Sequence, residues 1–200
     1  CYALIGYQTA YLKANYPMEF VTALFNADSD DTESIAFLVG EAQKTNIKIL
    51  PPDINKSGID FMPDGVNIRF GLLAIKNVGE NIVRAIVEDR SKSGEFASFS
   101  DFLNRIHHKD LNKKSLESLA KGGAFDSFGI ERNQALLNIE DILKFASDVR
   151  RVKTEFQNSL FGTPTVQRTL TLKPATPATS IEKLQWEKEL IGLYISDHPL

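Results

Sequence analysis

The residues best suited to chemistry are Lys76-Asn77-Val78-Gly79-Glu80-Asn81 and Arg84, where a sharp turn leads into an apolar-periodic helix. Gly79 is expected to take the positive φ that turns the chain and to let a phosphodiester approach bare backbone. The amides of Glu80 and Asn81 would then point at a phosphate oxygen, with Lys76 and Arg84 adding charge, a contact blind to base sequence. A plain αα-hairpin with a glycine cap fits the same residues. A second group follows the same plan less regularly: Gly122 and Gly123 end a helix, and Lys113, Lys114, Lys121 and Arg132 cluster around them. Two such turns in tandem favour phosphate binding over capping, although each lysine taken alone fits a solvated helix end.

A third candidate is Gln157-Asn158-Ser159-Leu160-Phe161, two adjacent large apolar side chains after a polar one, in a stretch otherwise poor in core residues. As an extended peptide it could place Leu160 and Phe161 in an apolar cleft of another protein while Gln157 bonds at the rim. The alternative is that the pair folds back on the preceding helix.

Other chemistries find no support. Polymerase-type phosphoryl transfer needs paired carboxylates on two metal ions, and Asp28-Ser29-Asp30-Asp31 reads as a helix cap instead. There is no Gly-x-Ser-x-Gly elbow and no Walker loop. One Cys and three His lack zinc-ligand spacing, so no metal site is expected. No apolar run approaches the roughly 18 to 20 residues of a membrane span, which makes a cytoplasmic setting the default. Both ends read as cuts: Cys1 lies within an amphipathic pattern and the chain stops at His198-Pro199-Leu200.

The elements needed to hold these groups are mainly helical. With 200 residues, 42% hydrophobic and 24% charged, the chain can build one large or two small cores. Tyr2, Leu4, Ile5, Leu12, Tyr16, Phe20, Leu24 and Phe25 recur at helical spacing, broken at Asn15-Tyr16-Pro17. Ile35, Leu38, Val39 and Ala42 stripe a third helix that ends near Asn46. A small β element is predicted from Ile47 to Leu50, and a strand pair at 60–62 and 67–70 around Pro63-Asp64-Gly65. Short helices follow at 72–75, 80–93, from Ser100, and from Asn112, which caps Lys113–Ala120. A longer one runs from Glu131 to Arg151.

Residues 154–179, with Pro164, Pro174 and Pro177, predict a flexible linker. Thr179 and Glu182 then form a capping box that opens a last helix. Formal net charge is -3, but it is uneven: residues 68–132 carry 11 Lys+Arg against 9 Asp+Glu, while residues 1–67 carry 4 against 9. The slight positive bias of the middle points to local phosphate contacts rather than a broad basic face.

Several ordered stretches make the sequence resemble the alpha-subunit family of bacterial DNA polymerase III, the C-family replicative polymerases. They are residues 2–14 (Tyr2-Ala3-Leu4-Ile5-Gly6-Tyr7-Gln8-Thr9-Ala10), Ile49-Leu50-Pro51-Pro52-Asp53-Ile54-Asn55, Ile68-Arg69-Phe70-Gly71-Leu72, Ala74-Ile75-Lys76-Asn77-Val78-Gly79, Gly123-Ala124-Phe125-Asp126, and residues 187–200. The resemblance implies a division into four parts: 1–67 completing a fingers domain; 68–153 a tandem helix-hairpin-helix module on duplex primer-template DNA; 154–179 a linker; and 180–200 the start of a further domain. It further implies that Gln157 to Phe161 dock on the sliding clamp, that other replicase subunits are partners, and that Mg2+ serves catalytic carboxylates in a palm upstream rather than any residue here. Gln8 and Lys13 become candidates for lining a template or nucleotide channel. Asn77 stands where the family usually has glycine, which leaves the closeness of phosphate approach open. A non-catalytic adaptor or scaffold using the same hairpins is the competing function, and a purely structural helical domain the third.

Overall fold

In the computed structural model, residues 2–28, 32–157 and 169–195 are described. Helices dominate, joined by one small sheet. α1 (Tyr2–Asn15) and α2 (Pro17–Ala27) meet at Tyr16, where proline at the first position of α2 is compatible with a helix start but not with continuation from α1. α1 buries none of its side chains, and Tyr2, Leu4, Ile5 and Tyr7 are exposed. α2 turns Val21, Thr22 and Phe25 inward. α3 (Thr32–Lys44) ends where Asn46 takes φ 57°, as the sequence suggested.

The sheet is smaller than expected and its turn is displaced. β1 (Ile49–Leu50) pairs in parallel with β3 (Asn67–Arg69), which pairs antiparallel with β2 (Met62–Asp64). Pro63 lies within β2 rather than in the turn; β2 is an edge strand, where a missing N–H costs no ladder bond. Gly65, at φ 63°, makes the reversal. The side chain of Asn26 clips α2 to this edge by donating to the Phe61 carbonyl (3.0 Å) and accepting from the Phe61 amide (2.9 Å). Behind the clip Phe25 stacks on Phe61, with centroids 4.9 Å apart, and Phe61 meets Phe70 edge-on at 4.6 Å. Each such ring pair contributes about 0.5–1.5 kcal/mol beyond its buried area.

One continuous core runs from these rings through Leu72, Ile75, Ile82 and Ile86 to a second aromatic group of Phe96, Phe99, Phe102 and Phe125. α4 (Glu80–Ser93) supplies Ile82, Val83 and Ile86 to it, and α5 (Phe99–Arg105) supplies Phe99, Phe102 and Leu103. α5 is capped by Ser98, whose side chain accepts from the Asp101 amide. α6 (Lys113–Lys121) opens on Asn112 in a reciprocal cap with Ser115.

Three differences from the sequence reading have local causes. Residues 72–77 form two successive turns instead of a helix, closed by Ile75 N–H to Leu72 O and Val78 N–H to Ile75 O. The long helix breaks at the buried Asn138 into α7 (Arg132–Leu137) and α8 (Ile139–Gln157). The Asn138 amide donates to Lys173 O (3.0 Å) and accepts from Lys173 N–H (2.9 Å). Within the predicted linker, residues 169–179 are extended but held by that clamp and by three further bonds: Leu170 N–H donates to Ser100 Oγ, Asn133 Nδ2 to Thr176 O, and Ala178 N–H to Glu131 Oε1. α9 (Ser180–Leu190) starts at the expected Thr179–Glu182 box and packs on α6, burying Glu187 and Leu190.

Candidate nucleic-acid interface

The first hairpin is exposed, and its geometry reverses the expected roles of two residues. Asn77 takes φ 67°, whereas Gly79 has φ −79° and ψ 154°, the extended N-cap conformation of any residue. The chain therefore turns at Asn77, which Asn tolerates better than other non-glycine residues. Glycine at 79 serves a different end: a Cβ built there would meet nothing within 4 Å, so the space in front of the first amides of α4 stays open. Val78 plugs the core beneath. Lys76 and Asn77 are exposed, with the Lys76 amide donating to Leu190 O (3.0 Å) and Asn77 Nδ2 donating to Ser118 Oγ (3.3 Å).

The charged neighbours are less available than their sequence positions implied. Arg84 donates to the carboxylate of Glu80 at 2.5 Å, one turn earlier, so much of its charge is locally matched. Asn81 Nδ2 donates to Asp110 at 3.2 Å. What the first hairpin presents is the ammonium of Lys76 together with the amides at the start of α4.

The second hairpin is built differently. After α6, Gly122 keeps a right-handed helical conformation and Gly123 takes φ 84°, followed by a 3-10 turn over Asp126–Phe128. Both glycines are buried, which removes them from any backbone surface offered to phosphate. A Cβ on Gly123 would stand 2.6 Å from Arg132 Nη2, and one on Gly122 would stand 3.0 Å from Ser118 O. Glycine is thus needed at 123 both for its backbone conformation and for the guanidinium packed against it.

Arg132 does not reach the surface. Its side chain is 4% exposed, with Nη2 2.8 Å from Asp126 Oδ2 and Nη1 3.2 Å from Glu187 Oε1, and Nη1 donates to Lys121 O at 3.0 Å. Burial pulls the guanidinium pKa down, but Asp126 and Glu187 outweigh it and hold it raised. Arg132 is therefore a buried strut under the hairpin. Lys113 pairs with Glu140 at 2.5 Å, and this carboxylate holds its ammonium above the ordinary lysine range. Lys114 is exposed in the first turn of α6 and Lys121 is half-buried at its opposite end.

The two hairpins abut. Besides the Asn77–Ser118 bond, the position of a Cβ on Gly122 lies 3.7 Å from Ile75 Cγ2. Residues 53–58 bind them from behind: Ile54 N–H donates to Ala124 O at 2.9 Å, Arg90 donates to the carbonyls of Ile54 and Ser57, and Asn55 exchanges bonds with the Phe96 backbone. This clip, and the Asn138 and Glu187 anchors, escaped the sequence reading because their partners lie 33 to 70 residues away in the chain. Gln8 and Lys13 are exposed on α1, which packs on α2. Gln157 is the last residue of α8, and Asn158, Ser159, Leu160 and Phe161 lie outside the described residues. Among the described residues, no group of three or more His, Cys, Asp and Glu is placed to hold a metal ion, and no helix is long and apolar enough to cross a membrane.

Known proteins resemble the chain along its whole length. A family described as a helix-hairpin-helix motif matches residues 46–135, which hold the sheet and both hairpins up to the start of α7. The DNA polymerase III subunit alpha of Deinococcus radiodurans is 44% identical over 203 aligned residues, covering 100% of this chain and 15% of the relative. The Thermus aquaticus subunit is 42% identical, with 100% and 16% covered, and that of Mycobacterium tuberculosis 40%, with 100% and 17%. The chain thus spans about one-sixth of the length of these curated relatives. Along its whole length the chain is similar to one segment of bacterial DNA polymerase III alpha subunits, and residues 46–135 within it match the helix-hairpin-helix motif.

Proposed function

We propose that this chain is the part of a replicative DNA polymerase that grips duplex DNA behind the primer end through its paired hairpins, without reading base sequence. The observation that supports this best is the first hairpin: a left-handed Asn77, open space at Gly79 and an exposed Lys76 place uncovered amides and one cation at a helix start. Lys114 and Lys121 on the abutting second hairpin give a further pair of phosphate contacts. Glu80, Asn81 and Arg84 contribute through the α4 amides and a locally matched charge rather than as free cations.

The longer polypeptide would carry out template-directed DNA synthesis. Residues 1–67 would then belong to its fingers, with Gln8 and Lys13 facing the template or nucleotide. Magnesium and the catalytic carboxylates would belong to a palm upstream in that polypeptide. The many large apolar side chains exposed on α1 fit a helix covered by another part of a longer protein. Residues 157–161 would tether the assembly to the sliding clamp as a short apolar peptide, alongside other replicase subunits.

Fluorescence anisotropy with a short duplex across a salt series tests the DNA reading. Lys76→Ala and Lys121→Ala should each weaken binding uniformly across sequences and reduce the salt slope by about 1. A chain with no salt-dependent duplex binding, or one indifferent to both substitutions, refutes it. Calorimetry against a bacterial sliding clamp, with Leu160→Ala/Phe161→Ala as control, tests the tether; binding unchanged by the double substitution rules out these residues as the contact.

A further inference from the structure

Two of the lysines offered to phosphate have backbones fixed to the same short stretch of one helix. On the first hairpin, the amide of Lys76 donates to the carbonyl of Leu190 at 3.0 Å. On the second, the carbonyl of Lys121 accepts from Arg132 Nη1 at 3.0 Å, and that same nitrogen is 3.2 Å from Glu187 Oε1. Glu187 and Leu190 are one turn apart on α9, and both are buried. The other carboxylate oxygen of Glu187 accepts from the Ile195 amide at 2.9 Å, tying the chain after α9 into the same junction.

A buried carboxylate is costly unless its oxygens are matched, and here both are. Arg132 is matched in turn by Asp126, so the charge at the junction is fixed in place rather than free to rearrange. Neither hairpin needs α9 to close its own turn: the Asn77 turn and the Gly122-Gly123 turn are each completed by local backbone bonds, Val78 N–H to Ile75 O and Ala124 N–H to Leu119 O. What α9 adds, beside the direct Asn77–Ser118 contact between the hairpins, is a second tie that joins the backbones of residues 76 and 121.

We propose that Glu187 is a positioning residue for duplex DNA, holding the second hairpin through Arg132 and Lys121 in register with the first hairpin, which the next turn of α9 holds through Lys76. This rests on the duplex-binding reading above and adds a specific role for a segment outside both hairpins. Two hairpins in fixed register engage phosphates together, whereas uncoupled hairpins engage fewer at once. Each phosphate lost lowers the salt slope by about 0.9 and, at about 0.1 M salt, weakens binding about eightfold.

The test is anisotropy of the 200-residue chain on a short duplex over a salt series, for the unaltered chain, Glu187→Ala and Glu187→Gln. Circular dichroism confirms that each variant is folded at the temperature used. Glu187→Ala should bind about eightfold or more weakly at 0.1 M salt with a slope smaller by about 0.9 or more. Glu187→Gln, which keeps the shape and one acceptor for Arg132, should fall between and serves as the deciding variant if the alanine form does not fold. A variant that melts earlier yet binds the duplex with unchanged affinity and slope while folded overturns the positioning role and leaves duplex binding intact. Absence of salt-dependent binding by the unaltered chain overturns both.

Discussion

Replacing Asn77 separates backbone geometry from side-chain contact at the tip of the first hairpin. Asn77→Ala and Asn77→Gly both remove the 3.3 Å bond to Ser118 Oγ, a partly buried contact between neutral groups of about 0.5 kcal/mol. Of the two, only alanine keeps a Cβ at φ 67°, and it does so without the local hydrogen bonding that lets asparagine tolerate a left-handed backbone, which costs up to about 1–2 kcal/mol. Asn77→Ala should therefore lose about 1.5–2.5 kcal/mol in a urea unfolding series, and Asn77→Gly about 0.5–1 kcal/mol once the added freedom of the unfolded chain is included. For a chain of this length those losses lower Tm by about 3–10 °C and about 1–4 °C. Glycine should also bind duplex DNA at least as tightly as asparagine, because it leaves the approach to the α4 amides clear. Equal stability of the two variants would refute the assignment of the turn to residue 77.

Three further outcomes follow from buried contacts. Arg132→Met should destabilise the chain by about 3–5 kcal/mol in the same assay, since it removes the guanidinium that pairs with both Asp126 and the buried Glu187; Glu187→Met added to it should restore part of the loss. Gly123→Ala should cost about 1–3 kcal/mol, because φ 84° excludes a Cβ and the guanidinium 2.6 Å away is pinned on three sides. The pH dependence of the 169–179 strap depends on Glu131. Burial raises its pKa, but the Ala178 and Asn133 amides and Lys183 prevail and hold it lowered. A carboxyl lowered in the folded state adds stability above its unfolded pKa and loses it as pH falls through the folded value. Hydrogen exchange at the Ala178 amide should accordingly quicken as pH drops below the ordinary carboxylate range, after correction for the intrinsic rate, and Glu131→Gln should flatten that response.

Some of this molecule is determined by residues within a few positions of one another, and those parts were legible in the sequence. The Thr179–Glu182 and Asn112–Ser115 caps, the helix start at Pro17 and the left-handed Asn46 each depend on groups no more than four residues apart. The apolar stripes of α3 and α4 likewise declared their buried faces, because helical period and core burial agree there, whereas on α1 the stripe is exposed and on α2 Val21 and Thr22 are buried instead of Phe20 and Leu24. The existence of two hairpins with lysines beside them was legible for the same reason.

Which of those residues face a ligand was not. Arg132 stands among lysines in the sequence and reads as one more cation, but it is buried because Glu187, 55 residues later, supplies a carboxylate beneath it. Gly79 and Asn77 exchange roles because the first hairpin is entered through two successive turns closed by local backbone bonds rather than through a regular helix. The stretch with prolines at 174 and 177 looked unanchored, yet Asn138, Glu131 and Ser100 hold it by side-chain bonds that leave no periodic trace. Local pattern selects the elements since capping and periodicity act over one or two turns; burial of a charge and anchoring of an extended strap depend on partners that only the folded chain brings within hydrogen-bonding distance.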